Sequence, residues 1–148
     1  MDIQPVKPSD ISAVQHLIAM VSELDVLPLF NAQGKEEYKT RVLPDIESTF
    51  DESMFTAIKA EHDGEVVGFG ALRDGNYVTH LFVSKSCQGT GLGRKLLSSL
   101  LDSTSHKEIR LRSSVNAVCF YEHHGFEAMA EEESFNGIRF VRMSLVRP

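Results

Sequence analysis

The stretch Leu81-Phe82-Val83-Ser84-Lys85-Ser86-Cys87-Gln88-Gly89-Thr90-Gly91-Leu92-Gly93-Arg94 carries the densest chemical signal in the chain. A β-branched and aromatic run ends, Gly89, Gly91 and Gly93 follow, and a leucine-rich helical pattern begins. Glycine lets backbone N–H groups turn toward one point without a Cβ in the way. A helix N-terminus adds unpaired donors and about half a positive charge. Such a loop suits a phosphate or pyrophosphate, or it is simply a tight strand-to-helix turn. A P-loop is excluded, because Gly93 is followed by Arg94-Lys95-Leu96 instead of Lys-Ser/Thr. A dinucleotide fingerprint is excluded too, because the spacing is G-x-G-x-G and the loop lies late in the chain.

Two side chains outside the loop can move protons. Tyr121 sits in Phe120-Tyr121-Glu122-His123-His124-Gly125-Phe126, on a helix that follows the loop by one helix and one strand. It either aims its hydroxyl at a central cleft or packs as an amphipathic ring at a helix end. His80 lies on the strand leading into the loop and titrates near neutrality. Strand alternation places it opposite Thr79, Leu81 and Val83 unless a bulge resets the phase. It is a candidate base or a partly exposed strand histidine, with Glu61 and Glu23 as weaker bases. His16, His62, His106, His123 and His124 show no metal-like spacing. No Ser-His or Cys-His arrangement is identifiable.

Gln88-x-x-Gly91-x-Gly93 resembles the Q/R-x-x-G-x-G/A signature of the GNAT N-acetyltransferases. The segment ending Phe120-Tyr121-Glu122-His123-His124-Gly125-Phe126 resembles that family's second signature, at the expected distance. The resemblance covers residues 77–126 closely and the N-terminal third only in element order. It implies acetyl-CoA as co-substrate, with no metal, held in a V-shaped gap between strands 77–83 and 109–113. Backbone groups of Leu81, Phe82 and Val83 are then expected to bond the thioester and pantetheine like an added strand. Gln88 and the amides of Gly89, Thr90, Gly91, Leu92, Gly93 and Arg94 are expected to wrap the pyrophosphate. Many family members have Asn seven residues before the tyrosine, where this chain has Ser114; Asn116, five before, is the residue expected to supply that contact. The resemblance also implies direct attack by a primary amine, with Tyr121 as general acid and His80 as candidate base. A non-catalytic acyl-CoA-binding or sensor module on the same fold, and an unrelated phosphate-binding domain, are the rival readings.

The elements that must position these groups follow from periodicity. Residues 2–7 read as a short strand, and Ile11, Val14, Leu17, Ile18 and Val21 form a helical stripe with Ser9 as cap. Residues 25–34 read as a loop broken by Pro28 and Gly34. A second helix is expected from Lys35 to Phe50, kinked or split at Pro44. Strands are expected at Phe55–Glu61, Glu65–Leu72 and Tyr77–Val83, joined through Asp63-Gly64 and Asp74-Gly75. A helix runs from Arg94 to Ser103, burying Leu96, Leu97, Leu100 and Leu101, before a strand at Ile109–Arg112. Ser114 caps a helix to His124 that Gly125 ends, and strands at Phe126–Glu133 and Ile138–Val146 meet at Asn136-Gly137. The order β-α-α-β-β-β-α-β-α-β-β predicts an α/β fold: one N-acetyltransferase domain over 1–148, a mixed, mostly antiparallel sheet with helices on both faces.

Composition is ordinary for a globular protein, with 42% hydrophobic and 24% charged residues. The two cysteines, Cys87 and Cys119, form no C-x-x-C and read as reduced thiols. No apolar run approaches the roughly 18 residues that span a bilayer, and no secretion signal is visible, so a cytoplasmic protein without a membrane partner is expected. A net charge of −6 argues against a nucleic-acid partner. Residues 22–54 hold eight carboxylates against three bases, either a solvated face or a negative field for a cationic acceptor. The expected partner is a small-molecule or peptide amine, with the chain a monomer or homodimer.

Overall fold

The hairpin turns follow from residues that tolerate positive φ. Asp63 and Gly64 adopt φ 52° and 80°, Asp74 and Gly75 53° and 72°, and Asn136 and Gly137 50° and 82°, the left-handed pairs that tight hairpins require. In the computed structural model, which describes residues 2–148, these turns organise strands β1 (Asp2–Pro5), β2 (Phe55–His62), β3 (Glu65–Arg73), β4 (Tyr77–Val83), β5 (Glu108–Ser113), β6 (Glu127–Ala128), β7 (Glu133–Phe135) and β8 (Ile138–Val146). The sheet order is β1-β2-β3-β4-β5-β8-β6, with β7 on β8. Every pairing is antiparallel except β4 with β5.

Helices α1 (Ile11–Val21) and α2 (Ala32–Glu37) lie toward one face, and α3 (Leu92–Asp102) and α4 (Val118–His123) toward the other. Helix α3 buries Leu92, Leu96, Leu97 and Leu100, while Leu101 is only half-buried. Each full leucine burial contributes about 1.5–3 kcal/mol. The sheet makes room for it with glycine. A Cβ on Gly68 would meet Leu96 Cδ1 at 2.8 Å, and one on Gly70 would meet Leu100 Cδ1 at 3.0 Å. Helix α1 buries Val14, Leu17, Ile18 and Val21 against Phe69 and Ala71, as its stripe predicts.

Several expectations are corrected. Ser9 does not cap α1; the Lys7 N–H donates to Asp10 Oδ2 at 2.7 Å across a 3-10 turn, Pro8–Asp10. Residues 25–34 are largely helical, because α1 widens into a π turn at Ser22–Val26 and tightens into a 3-10 turn at Leu27–Leu29. This run, Pro8–Leu29, has 22 residues and mean hydropathy 1.2, long and apolar enough by length and composition to cross a membrane, though here it packs as a core helix. Asn31, whose Oδ1 accepts the Gly34 N–H at 2.8 Å, starts α2, so Gly34 lies inside a helix and breaks nothing. Gly34 is there for contact: a Cβ would sit 2.1 Å from the carbonyl oxygen of Gly137, in the last hairpin. Beyond α2 the chain continues as a π turn and then a 3-10 segment, Leu43–Phe50, with Pro44 in its first turn, which is the split expected at that proline. The strand expected over Phe126–Glu133 breaks into β6 and β7. Both pair with β8, but residues 129–132 lie opposite only 141–142, so the surplus loops out.

Candidate active site

Strands β4 and β5 pair at only two positions, Tyr77 with Arg110 and Val78 with Leu111. Beyond them the strands part. From His80 to Val83, β4 is paired on its β3 side alone, so alternate backbone N–H and C=O groups face the gap. Helix α1 and its extension close one side and the α3–α4 layer the other. The resulting cleft holds about 830 Å³, within the range of small-ligand pockets.

The glycine loop forms the outer end of this cleft. Gly89 has φ 79°, and Gly91, at the N-cap of α3, has φ 87°. These left-handed residues turn the chain so that α3 starts with its free amides at the cleft. A Cβ on Gly93 would stand 3.4 Å from the Phe120 ring, so glycine also lets α4 come close. Gln88, Gly89, Gly91, Gly93 and Arg94 line the cleft, as do Leu81, Phe82 and Val83. Thr90 and Leu92 do not line it: the Thr90 hydroxyl donates to the Cys87 carbonyl at 2.5 Å, and Leu92 is buried in the core.

Tyr121 reaches the cleft from α4. Its ring packs edge-on against Phe120 at 5.2 Å and Phe126 at 5.6 Å. Its hydroxyl makes no hydrogen bond among the described residues, and burial pushes its pKa up, so it stays protonated. His80 reaches the cleft from β4. A bulge falls at Thr79, between the pairs Ala71 with His80 and Leu72 with Val78. The phase therefore resets before His80, and His80 still faces away from Leu81 and Val83. It stands 5.9 Å from Phe69 and 6.3 Å from Phe82, ring to ring. This apolar burial lowers its pKa to about 4, against a weaker upward pull from Asp45. Its Nδ1 lies 2.8 Å from Thr79 Oγ1, and the Thr79 hydroxyl donates to the Ala71 carbonyl at 3.4 Å. A Thr79 hydroxyl donating to that carbonyl favours the tautomer with the proton on Nδ1 and Nε2 as the open acceptor. Glu61 is tied to Lys59, and neither it nor Glu23 lines the cleft.

Asp25 is a residue that sequence reasoning missed. Its Oδ1 accepts Lys85 Nζ at 2.7 Å and its Oδ2 accepts Gln88 Nε2 at 2.9 Å. Its backbone carbonyl accepts Asn116 Nδ2 at 3.3 Å. Burial pushes the Asp25 carboxyl up, but the hydrogen bonds from Lys85 and Gln88 outweigh it and hold the pKa below its ordinary value. The π turn of Ser22–Val26 is thus fastened to the glycine loop and to the segment before α4. Asn116 also accepts the Ser114 hydroxyl at 2.7 Å, so Ser114 sits in the cap position without capping. Nothing in the local pattern of residues 22–26 signals this role.

The opposite end of the cleft is mainly apolar, walled by Tyr38, Leu43, Ile46, Phe135, Ile138 and Phe140. The Tyr38 hydroxyl is fixed by Ser22 Oγ at 2.8 Å. Of the acidic residues between 22 and 54, only Asp25 and Glu37 line the cleft, and Glu37 is engaged by Arg41 at 3.2 Å. Arg41, Arg94, Arg112 and Arg139 line it as well, so of the two readings of the charge run the solvated face fits the cleft better than the negative field.

A mixed sheet parted at its one parallel pair, with a glycine loop at the mouth of the parting, is the architecture of the acyl-CoA N-acyltransferases. Residues 26–147 match the acetyltransferase (GNAT) domain family, and the chain belongs to it. A structure of a GCN5-related N-acetyltransferase from Rhodopseudomonas palustris superposes with TM-score 0.79 at 18% identity, covering 98% of this chain and 94% of that one. The PaiA N-acetyltransferase of Thermoplasma acidophilum, in complex with coenzyme A, superposes with TM-score 0.73 at 16% identity and 98% coverage of both chains. A 5-NmdU N-acetyltransferase of Pseudomonas phage PaMx11 is 29% identical over 87 residues, 53% of this chain. That alignment spans 62% of the phage protein, less than two thirds of its length.

Proposed function

We propose that this acetyltransferase-family chain moves an acetyl group from acetyl-CoA to a primary amine by direct attack in a ternary complex. The observation that carries this is the parting of β4 from β5 with the glycine loop at one end, Tyr121 and His80 inside, and an apolar chamber at the other. The residues fit the co-substrate. The left-handed Gly89 and Gly91 aim amides at a diphosphate, Gly93 keeps the approach open, and the unpaired edge of β4 can bond an extended pantetheine arm. Acetyl-CoA supplies an activated thioester.

The chain's own groups do the rest. A backbone N–H of Leu81, Phe82 or Val83 polarises the acetyl carbonyl and holds the developing oxyanion. The amine nitrogen bonds to the carbonyl carbon, and the C–S bond breaks as the tetrahedral intermediate collapses. An aliphatic ammonium has pKa about 10.4 and no lone pair, so one proton leaves to solvent before the free amine attacks. His80 Nε2, neutral above about pH 4, takes the second proton from the nitrogen once bonding to carbon has acidified it. Tyr121 donates its hydroxyl proton to the departing thiolate sulfur. Asn116 steadies the pantetheine arm beside Asp25. The phage relative's name gives that protein an acceptor, 5-NmdU; the reading for this chain is the broader class of primary amines.

Calorimetric titration with CoA and acetyl-CoA, followed by thiol release across an amine panel, tests the reading. Binding plus amine-dependent thiol release is expected. Absence of CoA binding by folded protein overturns it. Binding without release from any amine favours the acyl-CoA sensor alternative.

A further inference from the structure

The cleft does not end at its apolar chamber. Arg112 lines it and also lines a second hollow, of about 400 Å³, on the same face of the sheet. Arg73, Tyr77, Arg110, Arg142 and Met129 line that hollow with it. The register brings the arginines together from three strands: Arg73 pairs with Tyr77, Tyr77 with Arg110, and Arg112 with Arg142. All four arginines are exposed.

Their charges are only partly compensated. Glu108 pairs with Arg110 at 3.1 Å and Glu133 with Arg142 at 2.9 Å. Arg73 and Arg112 have no carboxylate partner among the described residues. Each is instead stacked on an aromatic ring, with Cζ 4.8 Å from the centroid of Tyr77 and of Phe140 respectively. Like charges directly opposite in a sheet destabilise it, and Arg112 faces Arg142 in a chain whose net charge is −6. Stacking occupies the flat face of each guanidinium and leaves its N–H edge to a ligand. That planar edge matches two oxygens of a phosphate.

We propose that this groove binds a phosphate group of the acceptor, which is therefore a phosphate-bearing amine held with its amine in the cleft and its phosphate across Arg73 and Arg112. The inference rests on the acyl-transfer reading for the amine but not for the phosphate. The local charge distribution, not the net charge of −6, governs the field that a ligand meets at this groove.

The test uses protein with saturating CoA, so that the glycine loop is filled and the groove is the free phosphate site. The probes are thymidine 5′-monophosphate and a fluorescein-labelled single-stranded thymidine oligonucleotide about ten residues long, read by anisotropy and competition. The variants are Arg73→Gln with Arg112→Gln, and Arg73→Lys with Arg112→Lys. Thermal unfolding checks that each folds, and CoA titration checks the other site. The double glutamine variant is expected to bind the oligonucleotide at least tenfold more weakly. Its log-affinity slope against log salt is expected to shrink by roughly 0.7, the value per phosphate of single strands. The lysine variant, which keeps the charge, is expected to keep the slope. Monophosphate competing as well as the oligonucleotide assigns a small phosphate ester, and affinity that appears only with the oligonucleotide assigns a polynucleotide. No binding of either probe at low salt, or equal binding by the glutamine variant, overturns the proposal. Failure of CoA binding counts against the acyl-transfer reading alone, since the difference between wild type and the double glutamine variant still reports on the groove without CoA.

Discussion

Removing the Tyr121 hydroxyl separates a catalytic tyrosine from a packed one. The ring is held by Phe120 and Phe126, and the hydroxyl has no partner among the described residues. Tyr121→Phe keeps both ring contacts and strands no donor or acceptor. The change in folding stability is therefore expected to stay within about 0.5 kcal/mol, a shift in Tm below roughly 2 °C for a chain of this size. The chemical step is a different matter. Without the phenol the thiolate leaves without the proton that Tyr121 supplies, and general acid catalysis contributes about 10²–10⁴-fold. A loss of at least about 100-fold in kcat, or ~2.7 kcal/mol of barrier, is expected, with the Kd for CoA unchanged. Because burial holds the Tyr121 pKa above its ordinary value, wild type shows no basic limb from this group below about pH 10. The assay is thiol release at saturating acetyl-CoA, with calorimetry and thermal unfolding on the same preparation. A kcat within twofold of wild type removes Tyr121 from the mechanism. A Tm lowered by several degrees refutes the premise that its hydroxyl is free.

Two other expectations follow. Asp25 holds Lys85 and Gln88 beside the glycine loop; Asp25→Ala frees both donors and removes a negative charge, so CoA should bind two- to fivefold more tightly, about 0.5–1 kcal/mol, and a weakened affinity in calorimetry would show that the tether preorganises the site instead. His80 has a folded-state pKa of about 4 against about 6.5 unfolded, so the native state binds fewer protons between those values and stability must fall as pH drops through that window. Urea midpoints between pH 7 and 4.5 should decline less steeply in His80→Gln than in wild type, and parallel declines would refute the buried, neutral imidazole.

The parts of the molecule legible in its sequence are those whose demands are local. The left-handed pairs at Asp63-Gly64, Asp74-Gly75 and Asn136-Gly137 need residues that tolerate positive φ, and only a few types do. The glycine loop and the leucine face of α3 are readable for the same reason, as is the distance from the loop to Tyr121. Gly34 misleads because a helix-breaking residue is tolerated where another backbone must touch it, and its partner, Gly137, is far along the chain. Asp25 looks like one more member of a solvated acidic run; its partners Lys85 and Gln88 lie 60 and 63 residues on, a separation that no local pattern encodes.

The arginine groove shows the same limit from the other side. Arg110 and Arg112 alternate with buried Ile109, Leu111 and Ser113, as outward residues of any half-buried strand do. Arg73 closes β3, and Arg142 sits among apolar residues on β8. Read singly, each is a solvated charge. The bulge at Thr79 changes what they add up to. Because the phase resets there, Val78, Leu81 and Val83 all pack into the core under α3, while Tyr77 falls on the face that carries His80 and Phe82. One extra residue in β4 thus puts the stacking platform for Arg73 on the same side as the imidazole. Without it Tyr77 would point under α3 and Arg73 would lose its ring.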